Sequence, residues 1–176
     1  ELDTGRSAWN LAMGSQALYD WLDAEPDIFH PGDLDYIHSV ERISRLSNVI
    51  SINGGVQLDL MGQENAESAG TRQLSGIGGQ MDFLEGAYRS KGGKGFICIN
   101  SSRVTKDGER KSNIVAAIPS GSTISAPRTM IQYVATEYGI ADLAGKSLRE
   151  RAEAMAAIAH PDFREELMKY AREKFK

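Results

Sequence analysis

Between residues 50 and 60 the chain alternates with period two, Ile50, Ile52, Val56, Leu58 and Leu60 standing against Ser51, Gln57 and Asp59. This predicts strands with one face buried, the isoleucines and leucines turned inward. Asn53-Gly54-Gly55 interrupts the alternation with the backbone freedom of a tight turn or bulge, so the strands are expected to be paired or kinked. Upstream, Ala17, Leu18, Trp21 and Leu22 recur at helical spacing, with Ser15 placed to cap the helix and Glu25-Pro26 to end it. The next segment is short and loop-like, with room for a brief strand at 27–29. Asp33 is placed to cap a second helix, whose apolar positions Leu34, Ile37, Val40, Ile43 and Leu46 recur every third residue.

Downstream, 95–100 is a continuous apolar run, the pattern of a strand buried on both faces. Residues 101–112 are polar, with Lys106, Arg110 and Lys111 around Asp107-Gly108, and predict a hairpin. That hairpin serves either solubility or the clamping of a phosphate-bearing ligand. Strands are predicted at 114–118, 122–125 and 133–139, the last with Gly139 for a sharp exit. Ser147 and Glu150 form a capping box for a helix through Ala152, Met155 and Ile158. His160-Pro161 opens a last helix with Phe163, Leu167 and Tyr170 facing inward. Strands and helices mixed along one chain without a repeat predict an α/β fold, a mixed sheet flanked by helices.

The composition, 41% hydrophobic and 25% charged over 176 residues, suits one globular domain with a real core. A net charge of -4 and the lack of a dense Lys/Arg stripe argue against nucleic acid as a partner. No apolar run approaches the length of a membrane span, and no export signal is visible, so a cytoplasmic protein is expected. Cys98 stands alone, which excludes an internal disulfide and suits a small core residue. His30, His38 and His160 lack metal-ligand spacing, so neither a metal nor a permanently bound cofactor is expected. The sequence begins at Glu1 without Met and reads as a domain cut from something longer.

The stretch most suggestive of chemistry is Gly76-Ile77-Gly78-Gly79-Gln80, just before Met81, Phe83 and Leu84. A loop without Cβ atoms at a helix start brings backbone N–H groups close to a phosphate or a developing oxyanion. It is not the dinucleotide fingerprint, because Met81 stands where the third glycine belongs, and it is no phosphate-binding P-loop. Spacing alone favours glycines that merely turn the chain between strand and helix. His38 reads either as a boundary residue or as a catalytic one.

Taken together, AMGSQALYDWL, ISINGGVQLDLMGQENAES, RQLSGIGGQMDFLEGA, VATEYGIADLAGKSLRERA and IAHPDFREEL cover nearly the whole chain. In them the chain resembles the C-terminal domain of the acetyl-CoA hydrolase/transferase family, which includes 4-hydroxybutyrate CoA-transferase. The resemblance implies one CoA-transferase-like domain over residues 1–176, part of a two-domain enzyme that is a homodimer. It implies acyl-CoA and a short-chain carboxylate as substrates, with CoA passing through a glutamyl thioester on the enzyme.

Residue by residue, the resemblance lays the backbone of Gly78 and Gly79 against the thioester and sets His38 beside the active site. It assigns CoA contacts to Val56, Gly79, Gln80 and Lys106, with Lys94, Arg110 or Lys111 as alternatives to the lysine. The proline common after the His38 segment is replaced by Val40. The His-Ser/Thr-Glu-Met motif that carries the family's nucleophile does not occur in this chain. Glu67 and Glu137 stand in matched motifs but read as structural carboxylates. Transferase, hydrolase and a CoA-binding module without chemistry all remain open on these residues.

Overall fold

The computed structural model describes residues 4–175. The chain opens with β1 (Ser7–Trp9), crosses by α1 (Gln16–Ala24) and returns as β2 (Phe29–Pro31), parallel to β1. The helix begins where the pattern predicts, and the backbone of Ser15 is extended as at an N-cap, but its side chain makes no capping bond. Trp21 meets Phe29 edge-on at 4.6 Å yet stays 55% exposed, and no residue of α1 is buried.

The single helix expected after Asp33 is two, α2 (Leu34–Ile37) and α3 (Val40–Arg45). Ser39 makes the break: its backbone is extended, and its hydroxyl accepts from the Arg42 amide at 3.3 Å. A serine competes for backbone donors in this way, so it starts helices more readily than it continues them. His38 therefore ends α2 instead of lying in mid-helix.

Next come β3 (Ile50–Gly54), β4 (Gln57–Asp59), β5 (Glu64–Asn65), the hairpin β6 (Ser68–Ala69) and β7 (Arg72–Gln73), α4 (Gln80–Arg89) and β8 (Lys94–Cys98). A second hairpin, β9 (Ser102–Val104) with β10 (Arg110–Ser112), precedes β11 (Ile114–Val115), β12 (Tyr133–Thr136), β13 (Gly139–Asp142), α5 (Leu148–Ala157) and α6 (Pro161–Lys174). The main sheet has the order β13-β12-β8-β3: β3, β8 and β12 are parallel, and β13 is an antiparallel edge. A smaller sheet, β11-β4-β5, packs beside it. The fold is the mixed α/β expected, with both hairpin and capping box in place.

The core lies between one face of the main sheet, the small sheet and the helices. Ile97, Val134 and Ala141 from the sheet meet Leu58, Leu60 and Ile114 from the small sheet, Leu84 from α4, Ala152 and Met155 from α5, and Leu167 from α6. Phe163 and Tyr170 pack against it, as their spacing predicts.

The other face of the main sheet carries no helix among the described residues, and it inverts the reading of β3. Ser51 is buried, while Ile50 and Ile52 are 53% and 69% exposed. Register continues this open face through Phe96, stacked on Tyr133 at 4.9 Å, to Cys98, Ala135 and Ile140, the last 63% exposed. Alternation identifies two faces but not which one meets the core. Here small Ser51 lies inward, its hydroxyl bonded by Asn53.

For the same reason β8 is buried on one face only, and Cys98 is exposed rather than a core residue. The expected strand at 133–139 turns at Glu137 and Tyr138 and comes back as β13. The strand predicted at 114–118 stops at Val115, and 122–125 forms none. The brief strand expected at 27–29 is β2, displaced toward Pro31. No helix among the described residues is long and apolar enough to cross a membrane.

Candidate active site

Three parallel strands end at one level, since Gly54 pairs with Cys98 and Cys98 with Ala135. Just past these ends, Gly55, Cys98, Ile99, Asn100, Ala135 and Thr136 line a cleft of about 480 Å³. In open α/β sheets ligands bind at the carboxyl ends of the strands, where helix N-termini also gather. The start of α4 lies at this end, because Gln80 bonds Glu64, whose carboxylate adjoins Gly55. Its other end lies by the start of β3, where Ser90 donates to the carbonyl of Leu46.

The glycine loop meets the site with its backbone open. Gly78 is exposed in the left-handed region (φ 59°), which favours glycine, and open space surrounds the direction a side chain would take. Gly79 is the N-cap of α4 and makes no side-chain cap. The first N–H groups of a helix have no intrahelical acceptor, and the helix dipole adds partial positive charge there. An oxygen acquiring negative charge is the ligand these groups suit best.

Gly79 also needs to be glycine for a second reason, since a Cβ there would overlap the ring of His38. The sequence-predicted pair Gly79 and His38 is thus brought into direct contact. His38 Nε2 is 3.2 Å from Asn10 Nδ2 and Nδ1 is 3.7 Å from Asp82 Oδ2, with Phe83 edge-on at 5.3 Å. An amide nitrogen only donates, so this contact suits the tautomer with its proton on Nδ1, toward Asp82.

Val56 follows Gly55 at the end of β3, half-buried, with its amide donating to the carbonyl of Asn65 at 2.9 Å. The Gln80 side chain points inward: it is 8% exposed, and its amide nitrogen donates to Glu64 Oε2, which leaves its backbone as the part facing the site. Lys106 is exposed at the tip of the β9–β10 hairpin. Arg110 lies 4.0 Å from Asp162, and Lys111 is paired to Glu109 at 3.2 Å. Lys94 begins β8, at the end of the sheet away from the cleft.

Glu137 accepts from the amide and hydroxyl of Ser101 at 2.9 and 2.6 Å, tying the end of β12 to the chain after β8. Slight burial raises its pKa, but the Ser101 bonds, helped by His160, bring the net value below the ordinary carboxylate range. Glu67 accepts from Ser125 Oγ at 2.7 Å, under the β6–β7 hairpin.

The residue sequence reading missed is Glu64. It is fully buried, and burial, opposed only in part by the Gln80 amide, raises its pKa to about 8. Nothing in the polar run Gly62-Gln63-Glu64-Asn65 marks one member as buried. The signal exists only in space, where Ala126 and Ser125 close over the strand through their bonds to the backbone of Glu64.

The sequence pattern of the acetyl-CoA hydrolase/transferase C-terminal domain matches residues 14–171. The chain belongs to the acetyl-CoA hydrolase/transferase family. It is 43% identical over 170 residues to the butyryl-CoA:acetate CoA-transferase of Anaerostipes caccae, covering 97% of this chain and 38% of that protein. It is 42% identical over 174 residues to the 4-hydroxybutyrate coenzyme A transferase of Clostridium kluyveri, covering 99% of this chain and 40% of that one. The crystal structure of RipA from Yersinia pestis superposes with a TM-score of 0.86 at 40% identity, over 98% of this chain and 38% of RipA. The chain therefore spans well under half the length of each of these proteins, over a region that carries the glycine loop and the cleft.

Proposed function

We propose that residues 1–176 are the C-terminal domain of a two-domain CoA-transferase. The enzyme moves CoA between an acyl-CoA, such as acetyl-CoA, and a short-chain carboxylate, such as 4-hydroxybutyrate. The observation that carries this reading is the exposed Gly78–Gly79 start of α4, with free N–H groups beside the cleft at the strand ends. The activities named for the relatives support it.

The chemistry proposed is a sequence of acyl transfers. A glutamate carboxylate from outside residues 1–176 attacks the thioester carbonyl; the C–S bond breaks, CoA leaves as thiolate, and a mixed anhydride forms. The thiolate then attacks the glutamyl carbonyl of the anhydride and expels the first carboxylate, leaving a glutamyl-CoA thioester. The second carboxylate reverses these steps and departs as acyl-CoA. Each attack places negative charge on a carbonyl oxygen, and the loop amides receive it. One such donor is worth about 3–4 kcal/mol of barrier. In this reading His38 packs behind Gly79 and holds it, Val56, Gly79 and Gln80 approach CoA, and Lys106 supplies cationic reach for its phosphates.

The open sheet face fits the same reading. Its exposed isoleucines and stacked Phe96–Tyr133 pair form the kind of apolar patch that marks an interaction surface. We assign it to the remaining part of the polypeptide, the proposed N-terminal domain, within a homodimer.

Incubating the full-length protein with acetyl-CoA tests the proposal. A mass shift, or borohydride trapping of a thioester, is expected on a glutamate outside residues 1–176, discharged by short-chain carboxylates. Residues 1–176 alone are expected to show no turnover. CoA binding without an adduct would reduce the protein to a binding module, and discharge by water alone would make it a hydrolase.

A further inference from the structure

We infer that Glu64 is a positioning residue of this site, a buried carboxylic acid that ties the start of α4 to the β3–β4 turn and so sets where the Gly78–Gly79 amides point. The inference rests on the proposed acyl transfer for its kinetic consequence, though not for its structural one.

Glu64 lies on β5 with no solvent exposure, and its side chain spans two parts of the site. On one side Oε2 takes the side-chain amide of Gln80, the first residue of α4. On the other, Oε1 lies 2.6 Å from where a Cβ on Gly55 would stand, with the methyl groups of Ile99 and Ile97 on the same spot at 3.1 and 3.3 Å. Gly55 and Ile99 also line the cleft. The carboxyl group thus lies beneath Gly55, behind the cleft lining and beside the start of α4, and only glycine at position 55 leaves room for it.

Oε1 has no hydrogen-bond partner. A carboxylate with one donor for two oxygens, among isoleucine side chains, is far costlier to bury than a neutral acid. The elements around it carry Asp59 on β4, Glu67 past β5, Asp82 on α4 and His38 after α2, yet burial and the Gln80 amide alone govern its titration. The acid form is therefore the one compatible with this packing. Ionisation near pH 8 keeps the bond to Gln80 but draws water toward the unpartnered Oε1 among the isoleucines, and as that packing parts the loop amides lose their fixed direction.

The test uses the full-length protein in three forms: unaltered, Glu64→Gln and Glu64→Leu. Glutamine stays neutral at every pH and still accepts from Gln80; leucine fills similar volume without an acceptor. The unaltered enzyme is expected to lose about half its kcat between pH 6.5 and 8, as a group titrating near 8 dictates. Glu64→Gln should lose this alkaline fall while keeping its rate at pH 6.5. Glu64→Leu should lower kcat roughly tenfold or more at all pH values with KM little changed, because a misdirected oxyanion donor weakens the transition state and not the ground state.

A second readout needs no catalysis. The amide resonance of Gly79 should shift with a midpoint near pH 8 in the unaltered protein and stay still in Glu64→Gln. Coincident pH profiles in the unaltered and glutamine forms, an unimpaired Glu64→Leu enzyme, or a Gly79 resonance indifferent to pH would each overturn the inference. Absence of a glutamyl thioester, with the Gly79 shift intact, would instead overturn only the proposed transfer chemistry.

Discussion

Arg151 has its guanidinium folded into the protein, 8% exposed, where it donates to three carbonyls: Met61 at 2.8 Å, Leu143 at 2.7 Å and Arg128 at 2.7 Å. These come from the turn after β4, the end of the main sheet and the loop before β12, so one side chain ties together three segments distant in sequence. Burial, with the charge of Arg128, lowers its pKa against the opposing pull of Asp59, yet a guanidinium keeps its charge in proteins, and the carbonyl dipoles add to the Asp59 charge in balancing it. Gly62 makes room, since a Cβ there would meet Arg151 Nη2 at 2.6 Å. Arg151→Met would strand all three carbonyls, and a loss of about 3–5 kcal/mol in urea unfolding is expected. A loss below about 1 kcal/mol would show that water reaches the carbonyls. Neither this arginine nor Glu64 was legible in the sequence, because both sit among ordinary surface residues and are buried by segments far along the chain. Gly79 and His38 were legible as individual residues of a motif, but their contact was not.

Among the elements, those with chemical punctuation came through best. Ser147 and Glu150 form the reciprocal capping box their spacing predicts, the hydroxyl accepting from the Glu150 amide and the carboxylate receiving the Ser147 amide at 2.8 Å. His160 and Pro161 begin α6 as expected, the His160 ring accepting from the Asp162 amide. The break between α2 and α3 was missed because the apolar repeat runs straight through it, and only the cap at Ser39 overrides the repeat. That cap has a consequence for the site, since it fixes the end of α2 and with it the approach of His38 to Gly79. Ser39→Ala is expected to destabilise the full-length protein by about 1 kcal/mol in chemical unfolding, in line with other N-cap losses. It should also lower turnover beyond what the fraction unfolded explains. Unchanged turnover at that destabilisation would show that His38 keeps its place without the cap.

At the scale of the whole molecule, the isoleucines that alternation marked as inward are on the face without helices. Alternation marks β3 as two-faced but does not say which face meets the core, and here small Ser51 takes the inward side while Ile50 and Ile52 stay exposed. The sheet therefore has two apolar faces, as strands between two layers should. This makes the proposed covering by the rest of the polypeptide measurable. In an exposed position, Ile52→Asp or Ile140→Asp would change stability by no more than about 0.5 kcal/mol, the usual range for surface substitutions. Under a packed layer the same changes bury an unpaired carboxyl group and remove a side chain worth about 1.5–3 kcal/mol of burial, so losses above about 2 kcal/mol are expected in the full-length protein. The two positions lie on opposite edge strands, β3 and β13. Large losses at both would mean that one layer spans the sheet, a large loss at Ile52 alone would confine the covering to the β3 edge, and small losses at both would overturn the assignment of this face to the N-terminal domain.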